Sequence, residues 1–166
     1  MRFLFAAFIG FLSFSSCAQK KTDLSTLTLK ESAQELLQGV PGVNKGNMFD
    51  KPEMVSYGVD NNRRFSFQHY LPGHVELLSY NNQLAGYAFK INTFEDQQKI
   101  ENYFKKTYPK HSAQPSKWVT QYKYADKQLV IELSSVTKER YAQKMNGYYS
   151  VKRADFFTAY SRLLQQ

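Results

Sequence analysis

The spacing of hydrophobic and polar residues predicts a helix followed by a run of strands in the first half of the chain. Thr28 followed by Glu31 has the form of a capping box, and apolar residues then recur at helical spacing until Gly39. From Met54 onward the apolar period changes to two, which indicates extended structure. Turn formers separate four antiparallel strands, predicted near 54–59, 63–70, 74–80 and 83–92.

The second half of the chain is also predicted to contain both helices and strands. Thr93 caps a predicted second helix that ends at Pro109, with acidic residues in its first turn and lysines in its last. Further strands are predicted at 118–124, 127–136 and 147–152, and residues 137–145 fit either a helix or an extended loop. A final amphipathic helix carries Phe156, Phe157, Tyr160, Leu163 and Leu164. We therefore expect a single α+β domain, mainly an antiparallel sheet of about six to seven strands with two or three packed helices.

Strand alternation assigns apolar side chains to both faces of the predicted sheet. The core face is expected to carry Phe65, Phe67, Val75, Leu77, Tyr87, Phe89, Ile91, Leu129, Ile131 and Leu133. The opposite face would carry Tyr70, Leu78, Tyr80, Gly86, Ala88, Val130 and Tyr148, which is more apolar than a face meant only for water. Either the C-terminal helix covers it, with Phe157, Tyr160 and Leu164 on Gly86 and Ala88, or it is an aromatic platform for a glycan, peptide or partner protein.

The first sixteen residues have the character of a targeting segment. Arg2 is the only charged residue before Lys20, and an apolar run over 3–14 is followed by small residues. This pattern is typical of a secretory signal peptide. The run is shorter than the roughly 20 apolar residues that a helix needs to span a bilayer, so a permanent transmembrane anchor is not expected.

Residues 14–17, Phe-Ser-Ser-Cys, resemble the signal of bacterial lipoproteins, in which small residues precede a cysteine that is diacylated through its sulfur. The resemblance implies lipidation of Cys17, attachment to a membrane and a place in the bacterial cell envelope, at the outer membrane or its periplasmic face. Ordinary secretion, with cleavage after Ala18, is the alternative. A lone cysteine in an oxidising compartment has no intrachain partner, which favours lipidation. The expected organisation is a signal peptide (1–16), a lipidated N-terminus with a flexible tether (17–27) and one globular domain (28–166).

Composition excludes several kinds of site. With one Cys and three His there is no basis for a disulfide framework, a zinc finger or an iron–sulfur cage, so no cofactor and no metal are predicted. Phosphate-binding glycine loops and the common hydrolase motifs are also lacking. The net charge of +8 arises partly from basic doublets such as Arg63-Arg64. For an exported domain these suit anionic lipid, acidic polysaccharide or an acidic protein, and nucleic acid is not expected.

Two main hypotheses for the function follow. The first is a non-enzymatic, lipid-anchored envelope protein that binds or scaffolds a partner through a surface including Tyr70, Tyr80, Tyr148, Arg63 and Arg64. The second is a small secreted or periplasmic hydrolase whose site lies near His69, His74 and Glu76, around the predicted turn at residues 71–73. An inhibitor or immunity-like protein is a third alternative. We prefer the first hypothesis because catalysis needs convergent polar groups, which the sequence does not reveal.

Overall fold

The computed structural model describes residues 21–165, which form ten strands and four helices together with one 3₁₀ turn. The strands are β1 (Thr22–Asp23), β2 (Val43–Met48), β3 (Lys51–Asp60), β4 (Phe65–Ser66), β5 (His74–Tyr80), β6 (Gln83–Ile91), β7 (Ser112–Pro115), β8 (Val119–Ala125), β9 (Leu129–Val136) and β10 (Gly147–Arg153). The helices are α1 (Ala33–Leu36), α2 (Phe94–Thr107), α3 (Lys138–Ala142) and α4 (Ala154–Leu163), and the 3₁₀ turn is Leu24–Thr26. Within residues 21–165 no helix combines the length and apolar character needed to cross a membrane. The predicted signal peptide and Cys17 lie outside the described residues.

One antiparallel sheet of eight strands dominates the fold, in the order β2-β3-β5-β6-β10-β9-β8-β7. The two remaining strands, β1 and β4, form a small parallel pair. The predicted α+β class is therefore confirmed, with a sheet one strand larger than the upper expectation. The additional strands β2 and β7 lie at the two edges of the sheet, where their mostly exposed side chains show no apolar alternation.

The main core lies on one face of this sheet, where α2 packs against β6 and β9. Aromatic rings fill its centre: the ring centroid of Phe67 lies 4.7 Å from that of Tyr149 and 5.1 Å from that of Phe89. Phe104 on α2 is fully buried beside them. Burial of such a side chain contributes about 1.5–3 kcal/mol. The core face predicted from strand alternation is confirmed, with Leu129 only partly buried at its margin.

The predicted strand at 63–70 is wrong, because β3 pairs directly with β5 in the main sheet. Phe65 and Phe67 do point into the core, but the backbone between them and β3 is turned by Asn62. The Asn62 amide donates to the carbonyl oxygens of Phe65 and Pro72, and its oxygen accepts from the Phe65 N–H. Gln68 has a φ of 53°, which breaks the extended conformation again.

The folded domain also begins earlier than residue 28. Thr22–Asp23 pairs with β4, and Leu24 is completely buried, so the stretch predicted as a tether through residue 27 is part of the folded domain from Thr22 onward. The capping contact forms as predicted, since the Thr28 N–H donates to the Glu31 carboxylate at 2.9 Å. The helix itself is shorter than predicted and starts only after Ser32.

The C-terminal helix α4 covers part of the second sheet face. Its Phe156 is fully buried against Met54, Leu78 and Ala85, and Tyr160 packs at the margin of this cluster. The explanation in which this helix covers the face is thus confirmed for the part of the sheet near these residues. Of the predicted contact residues, Tyr160 does pack there, but Phe156 points inward in place of Phe157 and Leu164.

The orientation of α4 also determines how exposed its other side chains are. Leu164, which was expected on the sheet, is 61% exposed. Phe157 is half-buried beside two lysines, with the Nζ of Lys123 4.5 Å and that of Lys152 5.8 Å from its ring centroid. The ambiguous stretch 137–145 contains the short helix α3, and α2 begins after Thr93 as predicted.

Candidate functional site: an open trough on the second sheet face

A shallow trough of about 420 Å³ lies on the second sheet face, where β2, β3 and β5 extend beyond the cluster around Phe156. We call it the β2–β5 trough. It is lined by Asn44, Lys45, Gly46, Asn47, Met48, Ser56, Gly58, His74 and Glu76. Six of these nine residues have polar or charged side chains, whereas the cluster under α4 is apolar.

The strand register explains the depth of this trough. Gly58 is paired with Asn44 on one side and with Glu76 on the other. Glu76 is in turn paired with Ala88, which is followed across the sheet by Ser150. Because the residues on either side of Glu76 in this row are small, they leave open space above the sheet next to its side chain.

Glu76 is the central charged group of the trough. The hydroxyl of Ser56 donates to its Oε1 at 2.5 Å, and the phenol of Tyr148 donates to its Oε2 at 3.5 Å. Burial, and then the negative charge of Glu76, raise the pKa of Tyr148 well above its usual range, so this phenol stays protonated. Within residues 21–165 no lysine, arginine or histidine forms an ion pair with Glu76.

A carboxylate–imidazole pair stands at the end of the trough. The Nδ1 of His74 lies 2.7 Å from Oδ1 of Asp60, and the amide of Asn44 donates to the other oxygen of that carboxylate at 3.4 Å. The side chains of His74 and Asp60 are 38% and 60% exposed. Both groups are therefore accessible to a ligand from solvent.

Glu132, a second carboxylate on the same face, differs from Glu76 because it has cationic partners. Glu132 is bridged to Lys152 at 2.8 Å and to Lys123 at 3.6 Å. Burial opposes its ionisation, but the two lysines outweigh that effect and lower the pKa of Glu132. Its charge is neutralised within the protein, whereas that of Glu76 is not. Among the residues that the structure describes, Glu76 is thus the one carboxylate that lines the trough, and Lys45, which also lines it, forms no ion pair with Glu76.

The residues of the hydrolase hypothesis do not form one cleft. His74 and Glu76 share the trough, but His69 lines a separate cleft of about 280 Å³ between the 67–70 turn and α2. Ile100 and Tyr103 of α2 form the apolar wall of that second cleft. In the described part of the chain the His74 ring bonds only to Asp60, so no hydroxyl or thiol is aligned with it as a nucleophile.

The predicted binding residues are likewise distributed over different surfaces. Tyr148 and Tyr80 lie on the second face, but the Tyr80 ring is 6.0 Å from Phe156 and belongs to the cluster around that side chain. Tyr70 does not lie on this face: its ring packs 5.8 Å from that of Phe89 in the main core. Its hydroxyl donates to the Lys90 carbonyl, and burial raises its pKa to about 12.

Arg63 and Arg64 lie in the loop that follows β3. They line a third cleft, of about 490 Å³, with residues 40–42 and the end of β3. Neither arginine lines the trough. The five predicted residues therefore do not make one platform.

Sequence reasoning missed Ser56 and Asn44, which line the trough, and Asp60, which contacts His74 at its end. Ser56 and Asp60 occupy the same strand parity as Met54, and this periodicity could have placed them on the second face. Asn44 lies on β2, an edge strand that lacks an apolar pattern, so no local signal predicts its position.

Comparisons with known proteins do not extend this picture: no family model matches the chain, and no similar curated protein or solved structure was found. Within residues 21–165 no group of three or more His, Cys, Asp or Glu side chains is placed to hold a metal ion. The chemistry of the trough itself is the remaining guide to function.

Proposed function

We propose that the protein is a lipid-anchored lipoprotein of the bacterial cell envelope and that it acts as a non-enzymatic binding module. The anchor is the diacylated sulfur of Cys17, supported by the resemblance of residues 14–17 to lipoprotein signals. The binding surface is the β2–β5 trough. Acyl chains keep the domain beside a membrane, since a doubly acylated cysteine anchors stably where a single chain does not.

The observation that carries the binding proposal is the carboxylate of Glu76, which has no cationic partner within the described residues and lies beside an open polar trough. The partner is a protein segment that presents a lysine or arginine to Glu76. Asp60 and His74 supply further hydrogen-bonding groups at one end. A hydrogen bond to a charged group is worth about 1.5–3 kcal/mol, so one such contact has a measurable effect on affinity.

The hydrolase alternative has weaker support. The Asp60–His74 contact resembles the orienting pair of a hydrolytic site, but a nucleophile beside the imidazole is needed as well. Ser56 directs its hydroxyl to Glu76, and His69 lines a different cleft. An inhibitor or immunity-like protein would be one form of the binding proposal, in which the partner is the protein inhibited.

Site-specific photo-crosslinking in the native host tests the binding proposal. A benzoylphenylalanine in place of Asn44 reports on the trough, and one in place of Gln114, on the opposite edge strand β7, is the position control. We expect a discrete adduct only from position 44. Glu76→Gln should reduce the yield about tenfold, the effect of about 1.4 kcal/mol in binding.

The matched charge control is Glu35→Gln, since Glu35 is exposed on α1 and lies outside the trough. It should leave the adduct unchanged. Equal adducts from positions 44 and 114, or equal loss with both glutamate variants, would overturn the trough as the binding surface.

Metabolic labelling with an alkyne fatty acid tests the anchor. The wild-type chain should incorporate the label, and Cys17→Ala should not, because the chain has a single cysteine. Labelling that persists in Cys17→Ala, or is missing from the wild type, would overturn the proposed anchor.

A further inference from the structure

We propose that a basic surface formed by Lys21, Arg63 and Arg64 rests on the anionic headgroups of the membrane that holds Cys17. We call it the N-terminal basic surface. The inference rests on the proposed lipidation of Cys17, and it specifies which side of the domain faces the lipid.

Backbone pairing brings these three cations together. The N–H of Thr22 donates to the carbonyl of Arg64 at 2.8 Å, and Thr22 is the parallel partner of Phe65. Lys21 therefore lies beside Arg64 at the point where the chain enters the domain. Arg63 precedes Arg64 in the same loop and is exposed.

The charges on this surface have no carboxylate partner within residues 21–165. The carboxylates on neighbouring segments are already engaged: Asp23 accepts from Ser25 and Gln68, and Asp60 contacts His74. Guanidinium groups match phosphate geometry, so phospholipid headgroups supply the missing acceptors.

The length of chain between the anchor and the domain limits the possible orientations. Thr22 follows Cys17 by five residues, which span at most about 18 Å when fully extended. A folded chain of this size has a radius of gyration of about 15 Å, and hence a diameter well above that span. The domain cannot turn this surface far from the bilayer, and Lys20 adds a further cation to the connection.

The strand order identifies the part of the domain that points away from the lipid. Arg63 and Arg64 line their cleft with Val40 and Gly42, next to the edge strand β2. β7 is the opposite edge of the sheet. A probe near the cleft and a probe on β7 therefore report on the proximal and distal sides.

Quenching of a fluorescent label by nitroxide headgroup lipids measures this orientation. Once Cys17 is acylated the chain has no other thiol, so an introduced cysteine takes the label alone. Pro41→Cys places the label at the basic cleft, and Gln114→Cys places it on β7; both positions are exposed. Each full-length acylated protein is reconstituted into phosphatidylcholine vesicles with or without phosphatidylglycerol.

We expect quenching at position 41 to exceed that at 114 by about twofold or more when phosphatidylglycerol is present. The double variant Lys21→Gln, Arg63→Gln should abolish the excess, and it changes only exposed side chains. Lys127→Gln with Lys138→Gln removes the same charge from other exposed positions and should not change it. Thermal unfolding of each variant establishes that the fold is retained.

Two failures are distinguishable in the same samples. If the intact mass shows no acyl chains, both the proposed anchor and this orientation are overturned. Only the orientation is overturned if the chain is acylated but positions 41 and 114 are quenched equally. The same holds if the excess quenching at position 41 is equal with and without phosphatidylglycerol.

Discussion

Gly86 on β6 approaches Val151 on β10 so closely that a Cβ at position 86 would overlap the Val151 carbonyl oxygen. The pairing of β5 with β6 is irregular at this point, with a register shift between Leu78 and Ser79. The close approach of β6 and β10 thus lies beside this irregularity, and the absence of a side chain at Gly86 is a requirement of the fold.

Gly86→Ala should lower the free energy of unfolding by about 3 kcal/mol, since the clash is with backbone atoms that cannot rotate away. Gly46→Ala is the matched control: Gly46 is also in a strand, and a Cβ there meets nothing within 4 Å. The control should change stability by less than about 0.5 kcal/mol. Urea unfolding of both variants makes the comparison, and equal effects would contradict the proposed close approach.

Phe156→Ala should destabilise the protein by about 3–5 kcal/mol, because its ring is fully buried between α4 and the sheet. Phe157→Ala, one position along the same helix, removes a half-buried ring and should cost about 1 kcal/mol. Chemical unfolding measures both. The opposite order of effects would show that α4 is turned differently about its axis.

Asn62→Ala should reduce stability by about 3 kcal/mol, since it leaves buried carbonyls of Phe65 and Pro72 without their donor. Amide hydrogen exchange should be faster at Phe65, whose N–H donates to the Asn62 side chain. The exchange rate of the Ile131 amide, on strand β9, is the internal reference. Unchanged protection at Phe65 would contradict the role of Asn62 in turning this loop.

Glu101 should make stability depend on pH in the acidic range. Burial opposes its ionisation, but bonds from Lys105, Ser135 and Tyr122 outweigh burial and lower its pKa. The folded pKa is below the unfolded value of about 4.3, so the stabilisation is complete above that value and is lost as pH falls through the folded pKa. Glu101→Gln should cost about 2 kcal/mol at pH 7 and progressively less below about pH 4.

Urea unfolding over that pH range measures the effect of Glu101→Gln. Glu35→Gln, at an exposed position, is the control and should show little loss at any pH. A loss in Glu101→Gln that is constant between neutral and acidic pH would contradict the assigned bonds.

Local chemistry was sufficient to predict much of the fold. Thr93 accepts from the Asp96 N–H as an N-cap should, and the hairpin between β8 and β9 turns at Asp126, whose carboxylate accepts from Gln128 and Leu129. Strand parity assigned the core face because period-two patterns depend only on neighbouring residues.

The errors come from interactions distant in sequence. Phe65 and Phe67 alternate like strand residues, yet the bond from Asn62 to Pro72 removes this segment from the main sheet. The trough depends on the pairing of β2 with β3, which brings Asn44 to Asp60. A single sequence contains no local signal for such a pairing, so this part of the surface could not be predicted.

The most direct test of the proposed lipoprotein is the intact mass of the mature chain extracted from membranes. The account predicts the mass of residues 17–166 plus a diacylglyceryl group, and the loss of that mass shift in Cys17→Ala. A mature chain that contains an unmodified Cys17, or that begins after it, would contradict the account.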